Sequence, residues 1–337
     1  SLMLESVPVA GADLSHQLDK PSIAVVTASM HEQGVLHEEQ ISIQPLLEPG
    51  PGAPPTARAK KQETIVFLEK MVFDLLCRRI LSQPKCPPEA IVFLRDGVSE
   101  AEISLVLRRE VAAVRRAFDR FRATLLDPTT PEHEEFVTSV MSKRGMPDEQ
   151  KMARIQEFTT ALAAWKPKLT FILTIKRHHI RAFAATGPQN AQNIMPGTII
   201  DSHIVDARAF DFYLGSHKGI KGTTRPTRYL ILVDDNKLSA DDAQQFVHDS
   251  SHMFQRCLRA VSLPASVYYA DVIGRRVRGW LNAGGNNYDA STEHSFSVAT
   301  AETRRQDFEA CCLTLEGTDF GRNMFRAQGG PPSMWWL

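Results

Sequence analysis

Residues 7–13, 22–29 and 40–46 are short, largely apolar stretches that read as strands, with short or turn-rich links between them. Three such strands in succession predict an antiparallel meander. A Pro/Gly-rich stretch over 48–61 reads as a loop. From about residue 62 the pattern changes: Ile65, Leu68, Val72 and Leu75 fall on one helical face. Residues 90–94 form an unbroken apolar run, as expected of a strand buried on both sides. The helical period returns with Ile103, Leu107, Val111, Val114, Phe118 and Phe121. Residues 127–150 are polar and contain proline, so they read as an inserted surface segment. Strands are expected over 169–175 and 228–233, a helix over 239–260 and a last amphipathic helix over 299–315.

Three strands, helix, strand, helix, strand and further strands and helices describe an α/β layer with a mixed sheet. No internal repeat is visible. The expectation is one domain over residues 1–337, with insertions near 47–62 and 127–150. No run of about 18 apolar residues exists, so no membrane helix is expected. The first residues do not read as a signal peptide, and strand-like sequence begins almost at once, as in a piece cut from a longer protein. Five cysteines without a CxxC pair or a His/Cys ligand spacing point to reduced thiols and a cytoplasmic location.

Charge adds a polarity. Basic and acidic residues balance at 39 each over the chain. Residues 169–278 hold 14 Lys/Arg against 9 Asp and no Glu, an excess of five positive charges that the remainder offsets. This permits a polyanion groove in the second half without proving one.

Two carboxylates stand out. Val7, Val9, Gly11 and Asp13 share one strand face, so Asp13 closes an apolar strand. Asp96 closes a second one and precedes Gly97, which permits a tight turn. A buried lone carboxylate is costly unless paired or metal-bound, and either residue alone reads first as a cap or turn aspartate. If the two strands are neighbours, the carboxylates stand side by side and favour a hard cation such as Mg²⁺ or Mn²⁺. Two such ions about 4 Å apart can activate water and stabilise a leaving oxygen in phosphodiester cleavage. The sequence does not establish that the strands are adjacent.

Six strings occur in order: Gly11-Ala-Asp-Leu-Ser-His16, Arg95-Asp-Gly-Val-Ser-Glu100, Lys176-Arg-His-His179, Gly219-Ile-Lys-Gly-Thr-Thr-Arg-Pro226, Val233-Asp-Asp-Asn236 and Pro264-Ala-Ser-Val-Tyr-Tyr-Ala-Asp271. Together they resemble the Piwi domain of eukaryotic Argonautes, from about Val7 to Arg278. The resemblance implies a ribonuclease-H-like fold, a mixed central sheet flanked by helices. It implies Mg²⁺-dependent endonucleolytic cleavage of RNA paired to a small guide RNA, with two ions. Asp13 and Asp96 match the strand aspartates and Glu63 the mobile glutamate, and Asp271 stands where animal and plant relatives carry histidine. That aspartate is similar to budding-yeast and prokaryotic Argonautes and, with the insertions, points to a fungal source. Asp13, Asp96 and Asp271 are then the metal ligands and Glu63 completes the catalytic set. Two plainer readings stay open: Glu63 as a first-turn helix acid and Asp271 as the i, i+4 partner of Arg275.

Basic residues cluster in three groups, around 176–181, 217–228 and 256–278. Each alone reads as a solvated face; together they suit a groove that tracks a phosphate backbone. The resemblance places Lys176, Arg177, His179, His217, Lys221, Arg225, Arg256, Tyr268, Arg276 and Arg278 along the guide RNA. Arg276 and the carboxylate of Leu337 would lie near the pocket for its 5′ phosphate, most of which belongs to a Mid domain. The Mid, PAZ and N domains are absent from this chain. The implied partners are the guide, the complementary target RNA and that Mid domain, with no membrane. Trp335 and Trp336 read as packing residues. Two rival functions remain: a guide-binding silencing module that recruits partners and cuts nothing, and a general ribonuclease-H-like nuclease acting without a guide.

Overall fold

The computed structural model describes residues 7–17, 20–31, 34–44, 63–82, 87–185 and 191–283. The expected helix over 299–315, the loop over 48–61, Trp335, Trp336 and Leu337 lie outside the described residues.

The meander is present. β1 (Val9–Gln17), β2 (Lys20–Ser29) and β3 (His37–Gln44) pair antiparallel, with Asp13 opposite Val25 and Val25 opposite Ile41. After α1 (Leu68–Ser82), β4 (Ala90–Asp96) enters parallel to β1. Three helices follow, α2 (Ile103–Leu126), α3 (Pro131–Met141) and α4 (Asp148–Ala163), and then β5 (Lys168–Ile175), parallel to β4. A small hairpin, β6 (Phe183–Ala185) with β7 (Ala191–Asn193), stands apart. β8 (Thr198–Ile200), β9 (Phe210–Gly215) and β10 (Thr227–Asp234) complete the main sheet, and α5 (Ala240–Ser250) and α6 (Ala265–Ala283) follow. The eight strands are ordered β3-β2-β1-β4-β5-β10-β9-β8.

The unbroken apolar run of β4 has a direct cause. Ile91 and Phe93 face a core built with α1 and α2, whereas Val92 and Leu94 face a second core with α5 and α6. A strand covered on both sides needs apolar residues at every position.

Three sequence expectations change. Residues 127–150 are not a plain surface insertion: α3 and the start of α4 occupy them, and Phe136, Val140, Phe158 and Leu162 are buried against the α2 core. Thr130 caps α3 by accepting the His133 N–H, and Pro131 starts its first turn, so the polar, Pro-containing stretch encoded a helix start. α1 begins at Leu68 rather than near 62, which leaves Glu63 on a bend ahead of it. The helix expected over 239–260 ends at Ser250, where Ser251 turns its hydroxyl back onto the His248 carbonyl. Residues 251–264 then run as turns into α6, whose Val267, Tyr269, Ala270, Ile273 and Val277 are all buried.

Candidate active site

β1 and β4 are parallel neighbours, with Gly11 beside Leu94 and Ala12 beside Arg95. One further step along both strands brings Asp13 level with Asp96. Side chains alternate along a strand, so Asp13 shares the face of Gly11, and Asp96 that of Val92 and Leu94, which pack with Val267 of α6. A Cβ at Gly11 would lie 2.4 Å from Ser266 C and Val267 N, so only glycine lets the helix approach this closely. A Cβ at Gly274, one residue after Ile273, would touch Ser15 at 3.4 Å. Asp271 lies between these two contacts and is carried over Asp13. The loop after β4 closes the third side: Gly97 has φ +80°, and a Cβ there would lie 3.7 Å from Asp13 Oδ1.

Electrostatics report the same convergence. Burial first, then the charge of Asp96, pushes the Asp13 carboxyl up to about 6; Asp271 adds to the rise and Arg95 opposes it. Asp96 is also raised, chiefly by burial and further by Asp271, against the Gly97 N–H, Arg95 and Lys176. Asp96 Oδ1 accepts that N–H at 2.8 Å, so the turn role and the site role belong to one residue. Asp271 Oδ2 accepts from Arg275 Nη2 at 2.7 Å, so the helix pair is formed as well. Among the described residues no three His, Cys, Asp or Glu side chains are gathered closely enough to hold a metal ion. The chemistry of the set still fits one: the donors are carboxylate oxygens, and two of them are half-buried with their ionised form disfavoured, which a hard divalent cation would relieve.

Glu63 points at β1. Its Oε2 accepts from His16 Nε2 at 2.9 Å, and the Ser22 hydroxyl lies 2.6 Å from His16 Nδ1. Its backbone carbonyl accepts from Arg95 Nη2 at 3.0 Å.

Basic groups rim the carboxylates. Lys176 follows β5, whose Thr174 sits beside Asp96, and its Nζ donates to Ser262 Oγ at 2.7 Å. Burial lowers its pKa, whereas the charges of Asp96 and Asp271 raise it, with Arg275 and Arg225 opposing. His217 is lowered by burial and then by Lys176. Lys176, His217 and Arg225 therefore share one neighbourhood with Asp96 and Asp271. Arg177, His179, Lys221, Arg225, Arg256 and Arg276 are exposed. Tyr268 packs on Phe254 with ring centroids 4.6 Å apart. Arg278 is turned inward onto the Ser15 hydroxyl. Leu337 lies outside the described residues.

Two basic residues of the clusters serve the fold. Arg228 is held by Asp211 at 2.7 Å and Glu100 at 2.9 Å. His178 donates through Nε2 to the Pro226 carbonyl at 2.7 Å and accepts the Ile180 N–H at Nδ1, so both ring nitrogens are occupied. Sequence reasoning missed His16, Ser262 and the buried Arg95–Glu110 pair. Glu110 had a signal: it is an acid within the apolar stripe of α2.

Residues 149–282 match the family model of the Piwi domain. The argonaute 7 protein of Oryza sativa subsp. japonica is 33% identical over 286 residues, 82% of this chain. The chain belongs to the Piwi-domain family. It spans 22% of that relative's length and 30% of the rice argonaute 11 protein's, with which it is 32% identical. This Piwi domain has the ribonuclease-H-like architecture, a mixed eight-stranded sheet flanked by helices. The crystal structure of the C-terminal lobe of a budding yeast Argonaute superposes with a TM-score of 0.60 at 25% identity, covering 80% of this chain and 46% of that one. The Kluyveromyces polysporus Argonaute with a guide RNA shares the fold, with a TM-score of 0.61, 24% identity and coverage of 85% and 29%. The family match contains Asp271 and all three basic groups, whereas Asp13, Glu63 and Asp96 precede it, and the two aspartates are joined to it through β1 and β4 of the sheet.

Proposed function

We propose that this Piwi domain is the cleaving part of an Argonaute-type protein, cutting RNA that is paired to a small guide RNA. One observation carries the reading: Asp13 and Asp96 stand level on neighbouring parallel strands, beneath an α6 that carries Asp271. Asp13, Asp96 and Asp271 would hold two Mg²⁺ or Mn²⁺ ions, with Glu63 completing the set. When bound, such ions supply water activation and stabilise the leaving oxygen. The chain's own residues do the rest. Lys176 and Arg225 neutralise phosphate beside the carboxylates, and His217, neutral there, can donate a hydrogen bond to it. Arg177, His179, Lys221, Arg256, Tyr268 and Arg276 track the guide backbone, whereas Arg278, turned onto Ser15, braces α6 against β1, and base pairing supplies the sequence choice. A Mid domain of the same longer protein would hold the guide's 5′ phosphate, with Arg276 and Leu337 at its border. The setting is RNA silencing in the cytoplasm.

The test is a perfectly paired RNA target offered to the guide-loaded, full-length protein in Mg²⁺. Cleavage is expected from the wild type and lost in Asp13→Ala and in Asp96→Ala, with guide binding retained. Continued Mg²⁺-dependent cleavage by both variants rules the assignment out. A second reading, a silencing module that recruits partners without cutting, is favoured by the Asp271–Arg275 pair, which occupies one oxygen of the third acid. A wild-type protein that keeps its guide but leaves the target whole would establish it.

A further inference from the structure

Arg95 and Glu110 form an ion pair with both side chains at 0% exposure, Nε to Oε2 at 3.0 Å. Burying two charges is expensive, and replacing such a pair by apolar residues is often neutral for stability. Stability is therefore a weak account of its presence. Its other hydrogen bonds are more specific. Arg95 Nη1 donates to the Asp96 carbonyl. Nη2 donates to the Glu63 carbonyl at 3.0 Å. The second oxygen of Glu110, Oε1, accepts the Ile65 N–H at 2.9 Å. The next amide, Val66 N–H, is taken by Gln44 Oε1 of β3 at 2.8 Å.

One buried node thus ties three pieces of chain together: the end of β4 that carries Asp96, the bend that carries Glu63, and the middle of α2. Glu63 sits five residues before α1 begins, so no helical hydrogen bond fixes its backbone. The node does so from both sides, at its own carbonyl and at the amide two residues on. A carboxylate held at backbone level in this way points to one place, here toward His16 on the strand that carries Asp13.

The geometry points to Glu110 as a positioning residue: through Arg95 and the Ile65 amide it sets the Glu63 bend against the strand end that bears Asp96. This rests on the proposed cleavage, to which it adds a residue that touches neither substrate nor metal.

Removing Glu110 alone would strand a buried guanidinium and could unfold the protein. The test therefore compares two double variants that share Arg95→Met: one with Glu110→Leu, the other with Glu110→Gln. Glutamine keeps an acceptor for the Ile65 N–H; leucine does not. In the full-length, guide-loaded protein, both should melt close to the wild type and keep the guide. The leucine version should lose cleavage by about a hundredfold in kcat at unchanged KM, as expected when a reacting group is displaced by about 1 Å. The glutamine version should recover a large part of it. Amide hydrogen exchange without metal should show Ile65 exposed in the leucine version and protected in the glutamine version, with β4 unchanged. Equal cleavage by the two versions, or a loss that only tracks melting, overturns the proposal. A wild type that cuts nothing defeats the proposed function instead; the exchange result then decides on Glu110, and equal Ile65 protection in both versions overturns its role.

Discussion

The Asp13 carboxyl keeps its proton up to about pH 6 because burial and the neighbouring aspartates disfavour its charge. A folded-state pKa above the ordinary 3.8 means that the folded protein binds this proton more tightly than the unfolded one. The stability attached to it is fully present below 3.8 and is lost as pH rises through about 6. His37 behaves in the opposite sense. Its buried ring packs 4.9 Å from Tyr269, and burial pushes its pKa down to about 4. Its stability is present above 6.5 and is lost as pH falls toward 4. In metal-free wild type the two slopes oppose each other across the same window. Asp13→Asn should raise stability at pH 7.5 by on the order of 2 kcal/mol and leave the His37 slope standing alone. Denaturant melts in chelator between pH 4 and 8 check both signs; an Asp13→Asn protein no more stable than wild type at pH 7.5 contradicts the account.

At the scale of elements, the site depends on how closely α6 lies on β1. Gly11→Ala puts a carbon against helix backbone, which cannot rotate aside. We expect a loss of more than about 2 kcal/mol, at the upper end of overpacking costs, together with loss of cleavage; a thermal melt beside the target assay measures both. The neighbouring Gly279, where a Cβ would meet nothing, should accept alanine with little change. The same contact shows what was legible beforehand. Apolar stretches of strand length gave β1, β2, β3, β4, β5 and β10, while the four acids as one set came only from the family resemblance. The pairing of β1 with β4 was not readable, because it is a long-range choice that a local pattern does not encode. α6 was not read as a helix, because Val267, Tyr268, Tyr269, Val272 and Ile273 are β-branched or aromatic residues that a local pattern assigns as readily to a strand. Residues 127–150 misled because helix-capping chemistry, Thr130 followed by Pro131, resembles that of a loop. Glu110 stayed hidden because its partner is on another element.

For the whole molecule, the charge polarity read from composition becomes a surface. Lys176, His217 and Arg225 stand at the carboxylates, and Arg177, His179 and Lys221 are exposed in the same stretches of chain. Contacts of this kind release counterions, so RNA binding should weaken as salt rises, with a log–log slope of about −0.7 per phosphate for single strands. Replacing Arg177 and Lys221 by Gln should flatten that slope by about 1.4 without changing the choice of sequence. Fluorescence anisotropy of labelled single-stranded RNA across a salt series gives the number. A slope that does not move would take these two residues out of the interface.

The Thr27 hydroxyl donates to the Ser266 carbonyl at 2.8 Å across 239 positions of sequence, and Asp13 meets Asp271 over a similar span. Contacts that distant form slowly and late. On the ribosome, the first aspartates emerge long before the helix that caps them exists. A nascent chain stalled before α6 can therefore pair its meander while Asp13 still lacks the helix that brings Asp271 to it.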